Sequence, residues 1–242
     1  MNSLEADLER AKQLDVPALA DAIEAIGFEC TDCGACCRAA DTGCGSEDVS
    51  GESVGDNEGA TDTDTRQPHT ATVFPDEVRK LQAGESYDWR DVARPVPYGL
   101  EDGPDGQTGE TFEWALQTDS CGDCTFYRDD GTGGGCTVYG DRPLICRTYP
   151  FSVALGGTSQ PMGEAVDSEG LVRAHECEGL GREIDREAAE ELAAGLKTRA
   201  VRELEEAIGV RDTYEPVPPE STETGVVVHD SEGAKERDGR PL

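Results

Sequence analysis

The chain has 242 residues, and its 52 acidic and 21 basic residues give a formal net charge of −31 at pH 7. Phosphate binding needs clustered Lys and Arg, so this composition argues against direct binding to nucleic acid. The hydrophobic fraction is 36%, with two Trp and five Phe, which predicts a modest core with appendages rather than one large core. An acidic, lysine-poor surface is also typical of proteins from salt-rich cytosols, so a halophilic habitat is a hypothesis.

Residues 1–29 predict an N-terminal helical segment. Apolar residues recur at helical spacing from Leu4 to Ile26, the repeat is interrupted at Pro17, and Asp15 is placed to cap a second helix. The first residues form neither a basic nor an apolar signal region, and the chain has no 18-residue apolar run. We therefore expect no membrane association and a cytoplasmic protein whose thiols stay reduced.

A cysteine cluster follows, with the pattern Cys30-x2-Cys33-x2-Cys36-Cys37. Three thiols at x2 spacing can surround one centre, whereas the adjacent fourth thiol is expected to point elsewhere. A C-x2-C-x2-C run begins the cubane sites of bacterial ferredoxins, but single zinc ions are usually held by two separate C-x2-C pairs. The spacing therefore favours an iron–sulfur cluster over zinc and leaves both open, with a further ligand from a distant part of the chain.

The next segments predict an acidic insertion, a helix and a strand. Residues 41–66 contain eight acids and one base and predict a solvated or disordered acidic insertion. A helix is predicted over 75–83, because Pro75 opens it and Gly84 follows it. The alternation of Phe112, Trp114 and Leu116 predicts a half-buried strand.

Further cysteines occur at Cys121, Cys124, Cys136, Cys146 and Cys177. Asp141 is predicted to cap a short helix that carries Cys146 and that Pro150 ends. Gly34 and the glycines at 133–135 are expected to let backbone amides approach sulfur.

Other side chains are assigned supporting roles around the thiols. Arg38 and Arg147, each next to a cysteine, are expected to offset thiolate charge. Tyr139, Tyr149 and Phe151 are expected to form an apolar shell around the centre.

Three segments, 30–38, 136–151 and 177–181, resemble the YkgJ-like CxxCxxCC cysteine-cluster family of zinc- or iron-chelating proteins, often described as containing iron–sulfur clusters. The resemblance implies that the cofactor is zinc or an iron–sulfur cluster, for which 4Fe–4S is one type. It also places Cys44 and Cys121 outside the usual pattern. Eight thiols fit one cubane plus a structural zinc, two zinc ions, or one centre plus spare thiols. The ligand set that the resemblance implies is Cys30, Cys33, Cys36, Cys37, Cys124, Cys136, Cys146 and Cys177.

We therefore predict an α+β fold: a small, loop-rich, cysteine-cluster metal-binding domain over 30–181, flanked by N- and C-terminal helices. Residues 182–209 predict an amphipathic helix that covers the core, and 210–242 an acidic, disordered tail apart from a short edge strand at 226–228. His69 and His229 are expected to be solvated, and His175 to lie at the surface or behind the ligands.

Several functions fit this pattern. The first is a metal-binding protein with a structural or electron-transfer role, with an unknown protein partner conceivable. The second is an iron–sulfur-dependent oxidoreductase or a protein-methyltransferase-like enzyme, since one branch of the family resembles flagellin lysine methylases. Three further alternatives are a purely structural zinc module, an extracellular disulfide framework, and a dithiol switch at Cys121 and Cys124. The chain has no glycine-rich phosphate loop and no H-E-x-x-H motif, and nothing in it names a substrate or an oligomeric state.

Overall fold

The computed structural model describes residues 3–39, 68–84, 86–104, 106–129, 134–155, 165–167 and 170–242. The acidic insertion predicted for 41–66 lies outside them. The helices are α1 (Leu4–Lys12), α2 (Val16–Ile26), α3 (Pro75–Gly84), α4 (Trp89–Val92), α5 (Leu144–Thr148) and α6 (Arg186–Thr213). The strands are β1 (Thr72–Val73), β2 (Ala93–Pro95), β3 (Leu100–Gly103), β4 (Gly106–Thr111), β5 (Trp114–Leu116), β6 (Tyr127–Asp129), β7 (Gly134–Cys136), β8 (Phe151–Val153), β9 (Ala165–Asp167), β10 (Val172–His175), β11 (Val226–Asp230) and β12 (Gly233–Lys235). The α+β class is confirmed.

The first of two hydrophobic cores, which we call the N-terminal core, joins the N-terminal helices to α6. Helices α1 and α2 pack against α6, and the antiparallel sheet β8-β10-β9 closes the core from the other side. Local sequence sets these helices, since Asp15 and Asp185 each accept a hydrogen bond from an amide three residues on, at 2.8 Å. Phe28 packs edge-to-face on Phe151 with ring centroids 5.6 Å apart.

The second core, which we call the central core, lies beneath two sheets. Strands β1-β5-β2 form an antiparallel sheet, and β12-β11-β4-β3 form a mixed sheet in which β11 and β4 run parallel. Helices α3 and α4 contribute Val78 and Trp89, and the Trp89 ring packs 5.0 Å from that of Trp114. Ile145 and Phe126 extend this core to the cysteine-bearing segments.

The predicted strand around Trp114 is shorter and more buried than its alternation suggests. It covers Trp114–Leu116, all of which are buried, whereas Phe112 precedes it and is 45% exposed. Strand β5 lies in the middle of its sheet. Full burial of a central strand removes the alternation of exposed and buried positions on which the half-buried prediction depended.

The expectation of a disordered tail beyond residue 210 is wrong. Helix α6 continues to Thr213, and β11 is an interior strand of the mixed sheet with all five residues buried. His229 lies on β11, is 1% exposed, and stacks on Phe112 with Nε2 3.1 Å from a Glu110 carboxylate oxygen. The sequence predicted a short edge strand at 226–228 but not its interior position, because its partner β4 lies more than a hundred residues earlier in the sequence.

Across the ranges described above, no helix combines the length and the apolar character needed to cross a lipid bilayer.

Candidate metal centre

Backbone pairing brings the first cysteine cluster to Cys177. The Glu29 amide donates to the Gly179 carbonyl and the Gly181 amide to the Gly27 carbonyl, each at 3.0 Å. This two-sided pairing places the chain just before Cys30 beside the chain just after Cys177.

Glycine is required at this crossing. A Cβ on Gly179 would lie 2.2 Å from the Glu29 carbonyl oxygen, and one on Gly27 would lie 2.5 Å from the Arg182 carbonyl oxygen. Gly27 also has a φ of +78°, in the left-handed region that favours glycine. In the Cys-x-Gly-x-Gly motif at 177–181, close backbone approach therefore explains Gly179, and a φ of +77° explains Gly181.

A second backbone contact joins the cluster to the middle of the chain. The Cys124 amide donates to the Cys37 carbonyl at 2.8 Å, and the Ala39 amide donates to the Asp123 carboxylate at 2.8 Å. The first cysteine cluster is thus held from two sides, by the Cys177 segment and by the Cys124 segment.

Cys146 lies on α5, as predicted, but the helix start differs from the prediction. Asp141 ends a 3₁₀ turn and pairs with Lys80 at 2.9 Å. The cap comes instead from α3, where the Glu77 carboxylate accepts the Leu144 amide at 2.9 Å. Local sequence could not indicate a cap donated by an element that lies more than sixty residues earlier.

Eight cysteines are free thiols in this structure, and they divide into two sets of four by their surroundings. We call them the inner set and the outer set. The inner set packs against or within the central core, and Cys177 of the outer set packs against the N-terminal core. The inner set is Cys37, Cys124, Cys136 and Cys146, and the outer set is Cys30, Cys33, Cys36 and Cys177.

The inner thiols influence one another electrostatically. Burial raises the pKa of Cys124 to about 11 and that of Cys146 well above its ordinary value. After burial, the largest influences on the pKa of Cys146 are the negative charges of Cys124, Cys36 and Cys136, which raise it further. A bound cation would relieve this mutual repulsion.

The outer thiols also act on one another, although Cys36 acts on Cys124, Cys136 and Cys146 of the inner set as well. Burial raises the pKa of Cys177, and the charges of Cys36, Cys33 and Cys30 raise it further. Cys30 and Cys36 are exposed, so this group reaches the protein surface.

The adjacent cysteines connect the two sets. A hydrogen bond between the two side chains lowers the pKa of Cys36 to about 7 and raises that of Cys37. The sequence predicted that Cys37 points elsewhere, but in this structure the neighbouring thiols contact each other.

Several sulfur atoms receive backbone N–H groups from residues just downstream. The Gly179 amide lies 3.4 Å from Cys177 Sγ. The amides of Phe126 and Val138 act likewise on Cys124 and Cys136, lowering their pKa values against the effect of burial. Amide donors of this kind orient and stabilise thiolates in metal sites.

In the described part of the chain, no three Cys, His, Asp or Glu side chains are already arranged to hold a metal ion. Backbone hydrogen bonds join the segments that carry Cys30 and Cys177 and the segments that carry Cys37 and Cys124. The donor chemistry fits zinc or an iron–sulfur cluster, because both prefer thiolates supported by amide hydrogen bonds.

A family model for the CxxCxxCC domain, described as a "putative zinc- or iron-chelating domain", matches residues 29–178. The chain belongs to the CxxCxxCC family. The matched region contains all eight free thiols, and it supports the binding of a metal ion, zinc or iron. Comparison with curated proteins gave no match, and comparison with solved structures gave none.

In this CxxCxxCC domain, two glycines near the thiols accommodate a tyrosine ring. A Cβ on Gly34 would lie 2.2 Å from Tyr127 Cε2, and one on Gly134 would lie 2.3 Å from the Tyr127 hydroxyl. Close packing against the Tyr127 ring therefore requires glycine at Gly34 and Gly134. Gly133 lies outside the described residues.

The cation that most affects these thiols is Arg142, which the sequence did not indicate. Its charge lowers the pKa values of Cys36, Cys136 and Cys146. Its guanidinium lies 3.6 Å above the Tyr139 ring centre, and Nε donates to the Tyr139 carbonyl at 3.0 Å. Sequence adjacency could not indicate it, because the turn before α5 brings Arg142 back over the cluster.

The predicted aromatic shell separates into different environments. Burial raises the pKa of Tyr149, and the negative charges of Cys177 and Cys36 raise it further, so Tyr149 lies near these thiols. The Tyr149 hydroxyl donates to the Glu176 carbonyl. Tyr139 is 47% exposed, and Phe151 belongs to the N-terminal core. His175 is buried on β10, with Nε2 2.9 Å from Ser152 Oγ, so its role is in packing behind Cys177.

Cys121 is disulfide-bonded, an exception to the expectation of reduced thiols. Cys124 is free, so these two cysteines do not pair with each other. This arrangement argues against the dithiol switch. Cys44 lies outside the described residues.

Proposed function

We propose that this protein carries two cysteine-ligated centres, an iron–sulfur cluster on the outer set and a structural zinc ion on the inner set. The observation that carries the proposal is the division of the eight free thiols into four that belong to or pack against the central core and four that do not, of which Cys177 packs against the N-terminal core.

The outer set matches the ligand pattern of a cubane. Cys30, Cys33 and Cys36 supply the C-x2-C-x2-C run. The glycine-dependent backbone crossing joins the Cys177 segment to the chain just before Cys30, so Cys177 would serve as the remote fourth ligand. When bound, such a cluster supplies one-electron redox chemistry. Because Cys30 and Cys36 are exposed, a redox partner protein can approach this side.

The inner set suits a closed structural site. Its thiols come from four separate segments and meet beside the buried residues Phe126 and Ile145. Structural zinc is held by four protein ligands with no open position, and its binding contributes directly to folding. The inner centre would therefore tie α5, β7 and the first cysteine cluster to the central core.

The proposal includes a reducing compartment, the cytoplasm, because eight of the cysteines are free thiols. It assigns electron transfer to the outer centre, since the thiols give no indication of a substrate site.

Metal and sulfide analysis of anaerobically purified protein tests the proposal. We expect about four iron and four sulfide per chain for the cubane, together with about one zinc. A reversible one-electron reduction, followed by electron paramagnetic resonance, should accompany the iron. Zinc alone without sulfide would contradict the outer centre, and iron without zinc would contradict the inner one.

A further inference from the structure

A single carboxylate joins the first Cys-x2-Cys loop to the segment that carries Cys177. Thr31 Oγ1 donates to Glu178 Oε1 at 2.5 Å, and the Cys33 thiol donates to the same carboxylate. Glu178 directly follows Cys177 in the sequence. The backbone pairing described above holds the chain before Cys30, and this contact holds the chain after it.

The backbone of this loop has no repetitive structure of its own. Residues 29–34 belong to no helix or strand. Asp32, which lies between the two donors, has a φ of +55°, in the left-handed region that few residues other than glycine adopt. Helix or strand hydrogen bonds therefore do not fix the loop, and the orientation of Thr31 and Cys33 depends on contacts such as those with Glu178.

Glu178 is bound to the loop and not to a cation. The charge of Arg182 acts on it, but Arg182 pairs with Glu29 at 3.7 Å. Across the described ranges, no Lys or Arg side chain forms an ion pair with Glu178. The loop therefore accounts for the side-chain hydrogen bonds of this carboxylate.

Glu176 offers a comparison on the other side of Cys177. Both acids are exposed, and each is adjacent to Cys177 in the sequence. The Glu176 carbonyl accepts the Tyr149 hydroxyl, but in the part of the chain that the structure describes the Glu176 carboxylate accepts no hydrogen bond. Glu176 therefore serves as a control with the same charge and without the contact to the loop.

We propose that Glu178 is a positioning residue of the outer centre, and that its carboxylate holds the loop of Cys30 and Cys33 in place against Cys177. The inference rests on the proposed cluster at the outer set. Groups that hydrogen-bond around metal ligands fix their orientation, and removing one typically costs about tenfold or more in metal affinity. A metal-bound Cys33 is a thiolate that has lost its proton, so the Thr31 hydroxyl carries the link in the loaded protein.

Iron release from anaerobically purified protein to a ferrous chelator tests the role of Glu178. Glu178→Ala should release iron about tenfold faster than the wild type. Glu178→Gln, whose amide oxygen still accepts the Thr31 hydroxyl, should stay within about twofold of the wild-type rate. Glu176→Ala is the matched control and should not accelerate release. Zinc content should stay constant in all variants, because the inner set does not use this contact.

Thr31 tests the same contact from its other end. Thr31→Val should accelerate iron release as Glu178→Ala does, and Thr31→Ser should restore the wild-type rate. The double variant Thr31→Val/Glu178→Ala should be no faster than either single variant, because each change removes the same hydrogen bond.

Several results would overturn the proposal: an unchanged rate in Glu178→Ala, an equal acceleration in Glu176→Ala or Glu178→Gln, additive effects of Thr31→Val and Glu178→Ala, or loss of zinc together with iron. Wild-type protein without iron and sulfide would contradict the outer cluster itself, and with it this inference. An iron-loaded wild type whose release rate Glu178→Ala leaves unchanged would contradict only the role of Glu178.

Discussion

At the scale of single residues, the structure shows which groups hold the thiols in place. Glu77 on α3 accepts the amides of Phe74 at 3.1 Å and Leu144 at 2.9 Å, and so links α3 to the start of α5. Burial raises the pKa of Glu77, and those two amides act in the opposite direction. Cys146 is two residues beyond Leu144, so Glu77 fixes an inner thiol without touching it.

Replacing Glu77 by Ala should destabilise the protein by about 1–2 kcal/mol, since two amides lose their acceptor. Zinc affinity should also fall, because α5 is held less firmly. Urea unfolding and competition with a chromogenic chelator measure the two effects. Glu101→Ala, an exposed change on β3, is the control, and indistinguishable results for the two variants would refute the role of Glu77.

Cysteine spacing indicated a metal-binding domain, which the family match over residues 29–178 supports, but the sequence did not indicate the groups that hold the thiols in place. Cysteine spacing is local information that metal chemistry makes specific. Glu77 comes from an element distant in sequence, and Arg142 reaches the thiols only through the turn that precedes α5. Tyr127 was missed for the same reason, since its ring meets Gly34 only after β6 forms.

At the scale of elements, the crossing of segment 27–29 with segment 179–181 assembles the outer set. Its geometry depends on Gly179, because a Cβ there would overlap the Glu29 carbonyl oxygen at 2.2 Å. Backbone atoms cannot rotate away as side chains can, so the crossing must open to accept a larger residue.

Gly179→Ala should therefore reduce iron and sulfide content by more than half while zinc is retained. Gly140→Ala is a matched control, since a Cβ at Gly140 meets nothing within 4 Å and its φ is not positive. Elemental analysis of both variants gives the comparison. Retention of iron in Gly179→Ala would show that Cys177 is not an outer ligand, and loss of zinc as well would show that the two sets do not act separately.

Strand β11 makes the C-terminal segment part of the central core. Val226 and Val228 are 0% exposed and pack with Trp114 and Val78. A carboxylate placed here would be buried without a partner.

Val228→Asp should lower the free energy of unfolding by about 3 kcal/mol or more. Val166→Asp on β9 is the same change at a position that is 62% exposed, and it should alter stability by less than about 0.5 kcal/mol. Urea midpoints of the two variants are compared. A small effect of Val228→Asp would mean that residues beyond 225 do not belong to the core.

Local signals predicted helices more accurately than strands. Asp15 and Asp185 cap helices, and Pro75 begins α3 and Gly84 ends it, because these signals act within one or two turns. Strand β11 and the mixed sheet depend on pairing between distant segments, which composition does not encode.

At the scale of the whole molecule, the cysteines lie where the two hydrophobic cores meet. The N-terminal core contacts Cys177, the central core contacts Cys37, Cys136 and Cys146, and the adjacent pair at 36 and 37 bridges the two sets. With a net charge of −31, self-repulsion opposes the compact state, and thiolate–metal bonds at this junction would counteract it.

The most direct test of the account is the metal content of two variants, Cys36→Ser and Cys37→Ser, purified anaerobically. Cys36→Ser should lose iron and sulfide and keep zinc, whereas Cys37→Ser should lose zinc and keep iron, since the neighbouring residues serve different centres. The same loss in both variants, whichever metal is involved, would contradict the division into an inner and an outer centre.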